Sequence, residues 1–138
     1  MLKEYWQNEN LKKLDLNCAE SVLYAANEVY RMKLAPEAIR LSSAFGGGMG
    51  IEDKCGTVAA ALMVLGYLFV EKNARESGLV KEISGEFLKE FEERMKSLDC
   101  RELKTMHRTE TEGCDPVITS ALEVLDLIIG RNADRRVR

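Results

Sequence analysis

Residues 55–70 read CGTVAAALMVLGYLFV, and this apolar run decides the fold. After Gly56 it contains no charged residue, and its apolar side chains would cover every face of a helix. Such a helix is stable only where other elements surround it. With 16 residues, the run is shorter than the ~20 that a membrane-spanning helix needs. We therefore expect a buried helix over about 56–70, at the centre of the fold.

Before this run, apolar residues recur at helical spacing. Residues 2–14 form a mostly polar segment that predicts a first helix. Asn17 is a suitable N-cap for a second helix, which would reach about Met32. Pro36 suits the first turn of a short third helix, ending near Ala44. Three helices should thus precede the apolar run.

After the run, a four-residue apolar stripe that starts at Ile83 predicts a helix beginning near Val80. The stretch 101–113 is polar. Asp115-Pro116 is typical of an N-cap followed by proline at the first helical position, and Gly130 would end that last helix. No segment alternates as a strand does. The sequence predicts an all-α fold, a compact bundle of five to six helices around the buried central helix.

Length and composition indicate one globular domain. The chain has 138 residues, of which 46% are apolar and 31% charged. We expect a single helical domain over residues 1–130 and a basic tail over 131–138 that frays. The net charge of −3 argues against nucleic acid as a partner. The N-terminus lacks the apolar core of a secretory signal, so we expect a cytoplasmic protein with reduced thiols and no membrane association.

Four cysteines carry the functional signal. Cys18, Cys55 and Cys114 fall where helices are predicted to begin, and Cys100 ends the preceding helix or begins a short turn. The free backbone N–H groups at a helix start favour thiolate over thiol. In a reducing compartment, such thiols suggest a metal centre or redox chemistry. The alternative interpretation is four small core residues, because free cysteine is among the most buried residue types.

The spacing of these cysteines excludes a local ligand loop. The intervals contain 36, 44 and 13 residues, and no Cys-x-x-Cys pair occurs, so any shared site must be assembled by the fold. Cys100 and Cys114 could approach most easily, as a disulfide or as half of a metal site. A disulfide closing that loop without strain would add about 3 kcal/mol.

A glycine cluster precedes Cys55. Its backbone N–H groups could face an anion or a cluster, and the predicted cofactor-binding glycines are Gly46, Gly47, Gly48, Gly50 and Gly56. The alternative is a tight turn that lets two helices pack closely. His107, the one histidine, could complete a Cys3His site or act as a base for a thiol, or it could simply be solvated.

Three motifs together resemble a known family. Residues 17–22 read NCAESV, residues 44–50 read AFGGGMG and residues 55–66 read CGTVAAALMVLG. In this order they closely resemble the C_GCAxxG_C_C family of redox-active proteins, and Cys100 and Cys114 fall where that family has its last two cysteines. The likeness extends from about Leu16 to Ile129. In two positions the chain departs from the family pattern, with Thr57 in place of alanine and Ala60 in place of glycine.

The resemblance implies a redox site built from Cys18, Cys55, Cys100 and Cys114. The same arrangement is similar to the iron–sulfur part of split-Soret cytochrome c proteins, which favours a cluster over a simple dithiol. Covalent haem is not expected, because Cys-x-x-Cys-His is absent. Whether the chain is an enzyme stays open.

The sequence is therefore consistent with three functions. The leading one is an electron-transfer protein with an iron–sulfur cluster, such as [2Fe–2S], held by four thiolates and served by a redox partner protein. The second is a thiol–disulfide oxidoreductase or redox sensor, with Cys18 and Cys55, or Cys100 and Cys114, as working pairs. The third is a non-catalytic helical domain with structural zinc. The extent of apolar helix surface also suggests a homodimer.

Overall fold

The computed structural model describes residues 1–9 and 11–138, and the ordered elements in them are helices. Seven are α-helices: α1 Leu2–Asn8, α2 Cys18–Val29, α3 Pro36–Arg40, α4 Gly56–Phe69, α5 Leu79–Met95, α6 Cys100–His107 and α7 Asp115–Arg131. Short 3₁₀ turns occur at Leu11–Leu14, Ser43–Phe45 and Ala133–Arg135. The predicted all-α class is confirmed for the part of the chain that the structure describes.

The number of helices is larger than the predicted five or six. The additional helix is α6, which lies in the polar stretch that follows Cys100. Its sequence offers few apolar residues, and only Cys100 and Leu103 are buried, so the periodicity of apolar residues could not reveal it. The first helix is shorter than the predicted segment 2–14, since α1 ends at Asn8. Residue 10 of that segment lies outside the described residues.

Local sequence signals account for where the helices begin. At the start of α2, the side chain of Asn17 accepts a hydrogen bond from the backbone N–H of Glu20 at 3.0 Å. The Glu20 carboxylate accepts in turn from the backbone N–H of Asn17 at 3.1 Å, which completes a capping box. Pro36 and Pro116 lie in the first turns of α3 and α7, as predicted.

The apolar helix α4 and the long helix α7 share the core. α4 packs against α2, α5 and α7, whereas α7 packs against α1, α2, α4, α5 and α6. Phe87 and Phe91 of α5 are fully buried, with ring centroids 5.9 Å apart. The interior thus has two helices at its centre rather than the single one that the apolar run predicted, because α7 presents a wide apolar face of its own.

The basic segment 131–138 contacts the end of α4. The backbone N–H of Val137 donates to the carbonyl of Leu68 at 2.8 Å, and the guanidinium of Arg138 donates to the carbonyl of Tyr67 at 2.9 Å. These bonds satisfy carbonyls that the end of a helix leaves unpaired. None of the described helices combines the length and apolar character that crossing a bilayer requires.

Candidate redox site

All four cysteines line one small pocket. Its volume is about 40 Å³, above the ~10–15 Å³ that a cavity needs to hold one water molecule. The lining residues are Cys18, Gly47, Cys55, Gly56, Thr57, Cys100, Leu103, Lys104, Cys114 and Val117. A space of this size is too small for an organic substrate. It leaves a metal ion, a small inorganic cluster or reactions among the thiols themselves.

Each cysteine lies at the N-terminus of a different helix. Cys18 is the first residue of α2 and Cys100 the first of α6, while Cys55 and Cys114 are the N-cap residues of α4 and α7. Cys100 therefore lies at the start of a helix, as the other three cysteines do. The positive ends of four helix dipoles thus border one pocket, and such ends stabilise negative charge.

Two backbone hydrogen bonds hold Cys55 beside Cys100. The N–H of Cys55 donates to the carbonyl of Leu98 at 2.8 Å, and the N–H of Cys100 donates to the carbonyl of Asp53 at 2.6 Å. Between them, the ammonium of Lys54 lies 2.7 Å from the carboxylate of Asp99. This antiparallel bridge brings together two cysteines that lie far apart in the sequence.

Gly56 permits the close approach of α4 to Cys18. A β-carbon at this position would lie 2.3 Å from the carbonyl oxygen of Phe45 and 3.3 Å from the sulfur of Cys18. Any side chain there would push the start of α4 away from the turn Ser43–Phe45, and it would also crowd the sulfur of Cys18. Gly56 and Gly47 are the two predicted cofactor-binding glycines that line the pocket.

The other glycines of the cluster serve packing and turn geometry. A β-carbon on Gly46 would lie 2.4 Å from the amide nitrogen of Asn17, so Gly46 packs against the cap of α2. Gly50 has open space around it and does not line the pocket. Gly48, Met49 and Gly50 all have positive φ, which makes a left-handed turn closed by a hydrogen bond from Asp53 N–H to the Gly48 carbonyl at 2.9 Å.

Burial raises the pKa of three of the four thiols. It is the largest cause that raises the pKa of Cys55, Cys100 and Cys114 above the value of a free cysteine. Repulsion from Cys18 adds to the increase in pKa for each of them. Without a bound metal, burial thus favours the protonated form of Cys55, Cys100 and Cys114.

Neighbouring polar and charged groups oppose this increase in the thiol pKa. Thr57 and Cys55 share a hydrogen bond, with 2.9 Å between Oγ1 and Sγ, and this bond lowers the pKa of Cys55 in part. The ammonium of Lys104 lowers the pKa of Cys100, and the guanidinium of Arg108, followed by Lys104, lowers the pKa of Cys114. Lys104 also lies 3.9 Å from the carboxylate of Glu52. The pocket thus carries one cation on its wall.

The donor set fits a thiolate-bound metal centre in number and type. The pocket has four sulfur donors, and no carboxylate or imidazole is among its lining residues. Within residues 1–9 and 11–138, however, no three Cys, His, Asp or Glu side chains are grouped as ligands of one metal ion. The four thiols are free, so the disulfide considered between Cys100 and Cys114 is not formed.

His107 lies outside this pocket. Its Nε2 is 3.0 Å from the carbonyl oxygen of Met95, and the residue does not line the space between the cysteines. The predicted roles of His107 in a Cys3His site or as a base for a thiol therefore have no support in the geometry.

Sequence reasoning missed four lining residues, which are Thr57, Leu103, Lys104 and Val117. Lys104 follows Cys100 by four residues, so a helix over this stretch places them on one face. The spacing of Cys100 and Lys104 indicates a shared face only if this stretch is known to be helical, and α6 is not predicted from the sequence. Thr57 gave a different signal, because it departs from the alanine of the family pattern.

The sequence matches one family of known proteins. The model of the family described as "Putative redox-active protein (C_GCAxxG_C_C)" matches residues 16–128, which is most of the chain and includes all four cysteines. No curated protein and no solved structure matches.

Proposed function

The chain belongs to the C_GCAxxG_C_C family, and on that premise we propose that it is an electron-transfer protein. Its four cysteines, Cys18, Cys55, Cys100 and Cys114, would hold a [2Fe–2S] cluster as thiolates. One electron would pass from a reduced partner protein to the site and from the site to an oxidised one. The cluster, when bound, supplies the one-electron redox chemistry that thiols alone perform poorly.

The observation that carries this proposal is the common pocket of the four cysteines. They come from four separate segments of the chain, and each is the first or N-cap residue of its own helix. Four thiolates are the usual ligand set of [2Fe–2S] and [4Fe–4S] centres. Four cysteines with only structural roles would have no reason to share one small space.

The charge around the pocket supports an anionic centre. Four thiolates repel one another and are costly to bury, and a metal centre with four such ligands keeps net negative charge. The helix N-termini and the ammonium of Lys104 offset that charge. Thr57 and the backbone N–H of Val58 offer hydrogen bonds to the sulfur of Cys55.

The protein itself supplies binding, orientation and exclusion of water. Cys55 and Cys100 are 5% and 8% exposed, so two of the four sulfur ligands are shielded from solvent. A metal deprotonates the thiols that it binds, so loading of the site would release protons.

A thiol–disulfide oxidoreductase receives less support from this geometry. Such a protein needs a thiol of lowered pKa within reach of a second one. Burial instead raises the pKa of Cys55, Cys100 and Cys114. Structural zinc would use the same four ligands, and metal analysis separates it from iron.

The experiment is metal and acid-labile sulfide analysis of protein purified without oxygen, together with its visible spectrum. The proposal predicts iron and sulfide in equal amounts and absorption in the visible range. Zinc without sulfide would replace the proposal with the structural-zinc alternative. Metal-free protein with four free thiols would leave the dithiol function instead.

Two further expectations accompany this function. We propose that residues 1–130 act as one domain, because α7 contacts helices from both halves of the chain. We also propose a cytoplasmic location, since free thiols around a metal centre persist in a reducing compartment.

A further inference from the structure

Thr57 makes a direct contact with a proposed metal ligand. Its Oγ1 lies 2.9 Å from the sulfur of Cys55, and the two residues are 1% and 5% exposed. Thr57 is the second residue of α4, directly after Gly56, so the first turn of that helix places its hydroxyl beside the N-cap cysteine.

We propose that Thr57 is a positioning residue that sets the reduction potential of the site through a hydrogen bond to the sulfur of Cys55. This inference rests on the proposed function, because the potential in question is that of the metal centre. In the metal-bound protein the sulfur is a thiolate with no proton, so the hydroxyl of Thr57 must be the donor.

The backbone around Thr57 leaves its hydroxyl directed at the sulfur. A threonine in a helix often donates to the carbonyl four residues earlier. Here residue 53 lies before the N-cap of α4 and is not part of the helix, and its carbonyl accepts the N–H of Cys100 at 2.6 Å. Across residues 1–9 and 11–138, the Cys55 sulfur is the partner found for this hydroxyl.

The hydrogen bond should favour the reduced state. One electron added at the site, from dithionite in a titration or from a partner protein, increases the negative charge on the ligand sulfurs. No covalent bond forms or breaks, and the proton stays on Thr57. A donor to the Cys55 sulfur stabilises the more negative state more strongly, and so raises the reduction potential. The effect is strengthened by burial, because little water competes for the sulfur.

The test is an anaerobic redox titration of reconstituted protein, followed by visible absorption or electron paramagnetic resonance. Thr57→Val keeps the shape of the side chain and removes the hydroxyl, whereas Thr57→Ser keeps the hydroxyl. Thr105→Val is the matched control, because the hydroxyl of Thr105 donates to the carbonyl of Arg101 on an exposed part of α6. We expect Thr57→Val to shift the midpoint potential to a more negative value, and Thr57→Ser and Thr105→Val to keep the wild-type potential.

A second variant, Thr57→Ala, keeps the test decisive if Thr57→Val does not fold or does not bind the cluster. Thr57→Ala also removes the hydroxyl, and its smaller side chain brings no new steric conflict, so it should shift the potential in the same direction. Wild-type potentials in loaded Thr57→Val and Thr57→Ala would overturn the inference while leaving the proposed function intact. A wild-type protein without iron or sulfide would overturn both.

Discussion

Gly48 lies directly against Cys100: a β-carbon on Gly48 would be 2.5 Å from the β-carbon of Cys100. This added β-carbon on Gly48 would also be 2.7 Å from the backbone nitrogen of Asp53. The carbonyl of Asp53 accepts the N–H of Cys100. The left-handed turn before α4 and the start of α6 thus meet without room for a side chain. This contact places Cys100 next to the segment that leads into Cys55.

Gly48→Ala should therefore destabilise the fold more than a glycine substitution elsewhere in the same turn. Gly50→Ala is the control, since φ is +61° at Gly48 and +73° at Gly50, but nothing lies within 4 Å of a β-carbon on Gly50. We expect a loss of about 1 kcal/mol for Gly50→Ala, from backbone strain alone. For Gly48→Ala the loss should reach about 3 kcal/mol, because overpacking adds to that strain. Urea denaturation measures both, and equal losses would contradict the packing described here.

Alkylation of the reduced, metal-free protein should be slow at neutral pH. Burial raises the pKa of Cys55, Cys100 and Cys114, and only the thiolate reacts. With iodoacetamide and peptide mapping, we expect these three to react more slowly than free cysteine at pH 7.5, and to accelerate above pH 8.5. Fast modification of any one of them at pH 7.5 would instead support thiol–disulfide chemistry.

The same shifts predict that the metal-free protein loses stability in alkali. Between the unfolded pKa of about 8.5 and the raised folded value, the folded thiol keeps a proton that the unfolded thiol has released. Stability therefore falls as the pH rises through this window, and it is fully present below it. Denaturation midpoints from pH 7 to pH 9.5 check this, and Cys55→Ser should show a shallower decline. A midpoint that rises over this range would contradict the shifts.

Lys104→Gln should make Cys100 and Cys114 less reactive still. The ammonium of Lys104 lowers the pKa of these two thiols, so its removal reduces their thiolate fraction. We expect alkylation of both at pH 8.5 to slow, and that of Cys100 to slow more, because Arg108 still lowers the pKa of Cys114. Lys81→Gln is the matched control, because Lys81 is exposed on α5 and does not line the pocket. Equal rates in the two variants would show that Lys104 has no electrostatic influence on the thiols.

Much of this architecture could be predicted from the sequence. The cap at Asn17, the prolines at the starts of α3 and α7, and the apolar run of α4 are local signals, and each was read correctly. Helix α6 was missed because its stability comes from Cys100 and Leu103 packing on the rest of the protein. The pocket residues Thr57 and Lys104 could not be assigned, since their roles depend on how separate helices meet.

The most direct test of the central claim is the iron and sulfide content of anaerobically purified protein and of five variants. These are Cys18→Ser, Cys55→Ser, Cys100→Ser, Cys114→Ser and, as a control outside the pocket, His107→Ala. The account predicts iron and sulfide in equal amounts in the wild type and in His107→Ala, and a sharp loss of both in each serine variant. Absence of iron and sulfide from the wild type, or full retention in the serine variants, would contradict it.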